Sequence, residues 1–164
     1  MSVTNQVGKV PYRKLRFDSI TDLNKELDRI AELDRAGRLR TSGMWTAGQI
    51  MAHLAAWIEY GYNGFPIKSP PWIIRWFLRL RLPKMLESGM PRGIKIPGVP
   101  GGTVGADAMP TDPGIARVRQ AFQRLANGEH ASHDSPAFGK MSHADRIRLN
   151  LRHAELHLGY LNEG

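Results

Sequence analysis

Apolar residues recur at Ile20, Leu23, Leu27 and Ile30, in steps of three, four and three. That spacing predicts an amphipathic helix over "FDSITDLNKELDRIAELDRAG", capped by Ser19 or Asp18 and stopped at Gly37. A second helix opens at "WTAGQI". Thr46 is the N-cap, Gln49 the third helical position, and Trp45 and Ile50 stand at the staple positions on either side. It should run to about Tyr62, before "NGFP". Residues 70–87, "PPWIIRWFLRLRLPKMLE", read as a third helical piece that Pro83 ends or kinks. In the fourth helix, Ile115, Val118, Phe122 and Leu125 again step three, four, three. Asp112 reads as its N-cap, Pro113 as its first position and Gly128 as its end. The last helix starts at "SHAD", with Ser142 as cap and Asp145 three positions on, and its pattern continues through Glu163.

No segment alternates apolar and polar residues as a strand would, and no repeat is visible. The chain therefore reads as all-α: an up-and-down four-helix bundle with an additional central helical segment, forming a single domain over residues 1–164. Between the third and fourth helices, residues 91–110 hold five glycines and four prolines. A loop of this length inside a compact domain is a lid, a binding loop or a disordered connection.

Composition narrows the chemistry. With 41% hydrophobic and 23% charged residues, the chain is ordinary for a globular domain. No apolar run approaches the roughly 18 residues of a membrane span, and "MSVTNQVGKVPYRK" lacks the apolar core of a secretory signal, so a cytoplasmic protein is expected. There are no cysteines. Disulfides, thiolate metal ligands and a cysteine nucleophile are excluded, and a metal site must use nitrogen and oxygen. The net charge of +8 is spread along the chain. No basic block, helix-turn-helix or aromatic platform marks a nucleic-acid surface, and nucleic acid is not the expected partner.

The histidines change the picture most. On a wheel of the last helix, His153 and His157 fall between two apolar groups: Ile147, Leu151, Ala154, Leu158 and Leu161, and Leu149, Leu156 and Tyr160. Arg148, Arg152, Glu155, Asn162 and Glu163 take the remaining, solvent-facing arc. In the second helix His53 shares a face with Ile50, Trp57 and Tyr60, and Gln49 and Tyr60 stand close enough to support it. A buried imidazole needs a hydrogen-bond partner or a metal. Clustered and desolvated, three imidazoles stay neutral, which is the form a metal binds. A pair at i, i+4 plus one histidine from a facing helix leaves coordination positions open, as in catalytic rather than structural zinc sites. The competing reading makes them core histidines bonded to backbone carbonyls. Among the other histidines, His130 and His143 read as solvated. His133 lies in a loop that must cross an end of the bundle, and joins Gln49, Trp57 and Tyr60 as a candidate pocket residue.

"LRFDSITDLNKELDRI" at 15–30, "WTAGQIMAHLA" at 45–55 and "HDSPAFGKMSHADRIRLNLRHAELHL" at 133–158, in this order, resemble the DinB-like superfamily, and most of all an uncharacterised domain-of-unknown-function branch of it. The resemblance spans nearly the whole chain. It implies an up-and-down four-helix bundle with a divalent metal in its core, held by His53, His153 and His157. It also implies a metalloenzyme: characterised relatives include transferases and isomerases that use a low-molecular-weight thiol such as bacillithiol, mycothiol or glutathione. One departure is Leu156, where branch members often read "HAEHH"; on the wheel this position points away from the pair.

The first functional expectation is thus a metal-dependent enzyme, a hydrolase or a thiol-dependent transferase or isomerase, acting on a small-molecule substrate. Zinc and nickel suit three imidazoles best, with iron and copper as alternatives. The 91–110 loop could close over the site, with Arg92 and Lys95 holding an anionic substrate. No general base is evident, since Glu59 projects away from His53. The alternative is a non-catalytic binding module that uses the basic aromatic helix 72–82 for a membrane surface or a protein partner. Against it, such a face is ordinarily covered by the fold or in a homodimer, so a membrane is not the expected partner.

Overall fold

The computed structural model describes residues 11–164. The segment read for a secretory signal, residues 1–14, lies largely outside them. The described chain is mostly helical: α1 (Ile20–Arg35), β1 (Leu39–Thr41), α2 (Ala47–Asn63), α3 (Trp72–Ser88), α4 (Thr111–Ala126), α5 (His143–Leu158) and β2 (Leu161–Glu163), with a 3-10 turn at Pro100–Gly102.

Three of the caps form as their sequences dictate. Ser19 accepts from the Asp22 N–H and Ser142 from the Asp145 N–H. Thr46 and Gln49 close the capping box in both directions. The fourth differs. The Pro110 carbonyl accepts from the Gly114 N–H, so α4 begins at Thr111 and Asp112 lies inside its first turn, where the helix dipole still favours a carboxylate. Pro83 neither ends nor interrupts α3. The proline sits on the exposed side, while its neighbours Leu82 and Leu86 are buried with Phe138, and that burial on both sides of it carries the helix through. The last helix stops at Leu158 with Gly159 as its cap, so Asn162 and Glu163 are not helical. They belong to β2, which pairs antiparallel with β1 in the register Leu39↔Glu163, Arg40↔Asn162, Thr41↔Leu161. Strands of three residues are too short for an alternation to be read; tertiary pairing makes them.

Four helices share the main core. Leu23, Leu27 and Ile30 of α1 meet Ile50, Met51, Leu54 and Ile58 of α2, Ile115, Val118, Phe122 and Leu125 of α4, and Leu151, Ala154 and Leu158 of α5. The segment before α1 joins them: Phe17 is buried, the Arg13 N–H donates to the Gly159 carbonyl, and the Tyr12 hydroxyl donates to the Leu156 carbonyl. Arg152 and Glu155, expected in solvent, are buried against this segment. The α3 helix lies outside the main core. Leu82 and Leu86 form a small cluster with Phe138, and the Arg79 guanidinium donates to the Phe138 and Lys140 carbonyls at 2.7 and 2.8 Å. The opposite side of α3 is uncovered: Trp72 is 75% exposed, Trp76 54%, Phe77 56% and Leu80 60%. Among the described residues the expected cover by the fold is therefore missing on that side, and the α3 residues packed against the domain are Leu78, Leu82, Met85 and Leu86.

The α2 and α4 helices make the most extensive helix–helix contact, and glycine permits it. A Cβ on Gly48 would stand 1.7 Å from the Met109 carbonyl oxygen, and one on Gly114 would stand 2.6 Å from the Met51 Cβ. Gly48→Ala gains up to about 1 kcal/mol of helix propensity but forces a methyl group against the Met109 backbone, and such overpacking typically costs more, about 1–3 kcal/mol. The expected result is net destabilisation, read as a lower urea midpoint at unchanged m. A midpoint at or above wild type would show that the crossing relaxes freely.

Candidate metal centre

The His53, His153 and His157 rings converge where α2 faces α5. Their nearest ligand nitrogens all lie within 4.8 Å of one another. The His53 ring centroid is 4.6 Å from that of His157 and 4.9 Å from that of His153, and the α5 pair stand 4.7 Å apart. The i, i+4 spacing stacks the α5 pair one turn apart on one side of the helix, and the capping box fixes where α2 starts.

Backbone from the 91–110 segment completes the arrangement. His53 Nδ1 lies 2.8 Å from the Val104 carbonyl oxygen. A carbonyl only accepts, so Nδ1 carries the proton and the Nε2 lone pair faces inward. His53 Nε2 is 3.1 Å from His153 Nε2. Gly105 follows at φ +82, where a Cβ would meet the Ala56 side chain at 2.7 Å and the Tyr60 hydroxyl at 3.0 Å; only glycine brings this backbone so close to α2.

Burial sets the protonation. It pulls the His53 imidazole down to about 4, against a smaller upward pull from the Val104 carbonyl. Burial and then repulsion from His53 bring His157 down to about 3. Burial, then His157 and His53, hold His153 well below the ordinary histidine range. All three are neutral near pH 7, with lone pairs free for a cation. In metal-free protein this has a signed consequence. The unfolded chain takes up protons below the ordinary value of 6.5, and the folded chain does so only near 4 and below. Stability contributed by these imidazoles is thus complete above pH 6.5 and lost as the pH falls toward 4. For His53 alone the limiting loss is roughly 3 kcal/mol. Urea unfolding of chelator-treated protein should show a steeper drop between about pH 7 and about pH 5 than the His157→Gln variant shows. Equal slopes would mean that the imidazoles titrate normally in the fold.

Aromatic rings wall the cluster. Trp45 stacks on His157 at 5.6 Å and 14°, and Trp57 lies 5.9 Å from both His53 and His153. The Trp57 Nε1–H is buried without a hydrogen-bond partner. Sequence reading treated Trp45 only as a staple and missed the Val104 carbonyl, which no side-chain pattern can signal. Tyr60 packs on Trp57 and Phe65, and burial, reinforced by the Asp107 charge, raises its hydroxyl. Glu59 does project away, pairing with Arg117 through bonds of 2.9 and 2.5 Å.

The remaining candidates stand elsewhere. Gln49 is engaged by the capping box and reaches the Ala106 carbonyl at 3.4 Å. His133 is exposed at the far end of α2; its N–H donates to the Gly61 carbonyl and its ring lies along Gly64. The Arg92 guanidinium covers the Tyr12 ring at 4.3 Å, and the Lys95 stem runs past Gly102. What the loop delivers to the histidines is its second half, through backbone.

A family model described as "Protein of unknown function (DUF1569)" matches residues 12–164. The chain belongs to the DUF1569 family. No curated protein and no solved structure matches it. The match covers every element of the DUF1569 fold described above, from Tyr12 on α5 to β2, and includes all three histidines. This DUF1569 protein thus carries a three-histidine group that could hold a metal ion.

Proposed function

We propose that this protein is a divalent-metal-dependent enzyme of the DinB-like type, acting on a small molecule within the cytoplasm. The observation that carries the reading is the convergence of His53, His153 and His157 from two helices, neutral, and with the His53 tautomer fixed by Val104. The donor set fits the group. Imidazole nitrogens about 2.1 Å from one ion stand roughly 3–3.5 Å apart, and the His53 and His153 Nε2 atoms are 3.1 Å apart. The shared core of α1, α2, α4 and α5 supports the four-helix-bundle part of the reading. Among the described residues no helix is long and apolar enough to cross a membrane.

His53, His153 and His157 would hold a divalent ion, zinc or nickel first, which would supply Lewis acidity to a water or thiol. The chain's own residues do the rest. Val104 holds His53 in orientation and makes it a stronger donor. Trp45 and Trp57 exclude water from one side, which strengthens electrostatic interactions within. The Trp57 Nε1–H is the buried donor left free to orient an acceptor atom on a substrate. Among the described residues no carboxylate joins the cluster, so the chain offers no general base there, and a low-molecular-weight thiol suits the site better than a hydrolytic water needing one.

The test is elemental analysis of tag-free protein, followed by chelation and reloading with zinc, nickel, iron or copper, and a screen of glutathione, mycothiol and bacillithiol with electrophilic acceptors. The expected result is near-stoichiometric metal, and thiol transfer lost on chelation and restored by one metal. A protein that takes up none of the four metals would overturn the reading and leave the histidines as core residues.

A further inference from the structure

The uncovered side of α3 is chemically specific. Trp72, Ile73, Trp76, Phe77 and Leu80 follow the i, i+1, i+4, i+5, i+8 pattern of one helix face, and all five are exposed. Leu78, Leu82 and Leu86 occupy the other side and attach the helix to the domain. Cations accompany the exposed face. From Gly64 to Leu86 the chain contains Lys68, Arg75, Arg79, Arg81 and Lys84 and no acidic residue. Among the described residues none of these five cations forms an ion pair. Arg79 is bonded to carbonyls, which orient its charge without cancelling it. Lys84 continues the apolar row and Arg81 borders it, both exposed.

We infer that α3 is a membrane-surface anchor that lies in the interface of an anionic bilayer, with Trp72, Trp76, Phe77 and Leu80 in the headgroup–acyl boundary and Arg81 and Lys84 at the phosphates. Charge selects this occupant. A second copy of the chain packed across the same face would set Arg81 and Lys84, neither of them in an ion pair among the described residues, against the same cations of its partner. An anionic lipid surface complements them, at roughly a fivefold gain in binding per cation near the surface. Two tryptophans at one end of an exposed apolar row match the preference of amphipathic rings for the bilayer interface. The helix is not a membrane span, so lying flat is the geometry open to it.

The experiment is flotation of the full-length protein with vesicles of phosphatidylglycerol and phosphatidylcholine in equal parts, and with phosphatidylcholine alone. The expected result is binding to the mixed vesicles that weakens with added salt, little binding to the neutral ones, and a blue shift of tryptophan emission on binding. Arg81→Glu with Lys84→Glu should weaken binding at least about tenfold. Phe77→Ser with Leu80→Ser should abolish the blue shift; both residues are exposed, so thermal midpoints should stay near wild type and report retained folding. No binding to mixed vesicles, or binding insensitive to both double variants, would overturn the inference. So would a dimer in sedimentation that Phe77→Ser with Leu80→Ser splits, since a second copy would then be the occupant.

Discussion

His153→Ala is expected to leave the protein folded and without its divalent ion. Wild-type protein loaded with zinc or nickel should hold close to one equivalent through gel filtration, and the variant should hold none. Removing a partner that merely orients a ligand typically costs 10–100-fold in metal affinity. Loss of one of only three protein donors should exceed that range. The effect on folding runs the other way. His153 is a neutral imidazole in a desolvated place, and among the described residues its one side-chain polar contact within hydrogen-bond distance is His53 Nε2 at 3.1 Å. Deleting it removes a buried polar group with its costs as well as its contacts, so metal-free stability should change by less than the roughly 2–5 kcal/mol of a large apolar core truncation. Metal content and metal-free unfolding measured on the same preparations separate the two effects. A variant that keeps full metal while losing several kcal/mol would make His153 a packing residue.

The second large effect lies two positions along the same helix. Glu155→Ala should destabilise the protein by about 3–5 kcal/mol, because it leaves the Arg152 guanidinium buried without its counter-charge. Both side chains are almost wholly enclosed, at 4% and 7% exposure. Arg152 donates to Glu155 at 2.6 Å and to the Phe17 carbonyl at 2.8 Å, while the Phe17 N–H donates to the same carboxylate at 2.5 Å. The pair thus clamps the chain before α1 onto α5, and its removal breaks a backbone attachment as well as an ion pair. Arg38→Ala is the contrast: its partner Glu163 is half exposed, as is Arg38 itself, and such pairs contribute at most about 1 kcal/mol. Urea titrations of the two variants should separate clearly. A Glu155→Ala loss no larger than that of Arg38→Ala would show that water reaches Arg152. Arg152→Met with Glu155→Leu together should recover part of the loss, since the unpaired charge leaves with its partner.

The histidine cluster was legible in the sequence because its information is periodic. His153 and His157 share a face by spacing, and His53 shares one with Ile50 and Trp57. The capping boxes and the Ile20, Ile115 and Ile147 patterns located helices for the same reason: their signals lie within a few residues. The failures were non-local. Arg152 and Glu155 look like solvent residues on a wheel, and only the arrival of Phe17 makes burying them worthwhile. Val104 reaches His53 with a carbonyl that every residue possesses. The β1–β2 pairing joins the end of the described chain to a segment more than a hundred residues earlier. Pro83 does not end α3, which continues to Ser88 with Leu82 and Leu86 buried on either side of it. The exposed side of α3 is expected to be covered by the fold or in a homodimer, and among the described residues the fold leaves it open.

The cluster is assembled from distant parts of the chain: Val104 is 51 positions from His53, and His153 is 100. Contacts of such separation form late, after the loops between them have closed. A nascent or partly folded chain therefore presents at most the local His153–His157 pair, too few donors to hold an ion firmly. For the proposed metal centre, loading should therefore follow folding rather than template it. An ion held there would shift the equilibrium toward the native state by mass action, and at saturating metal the metallated fraction of a population would count the molecules that have finished folding.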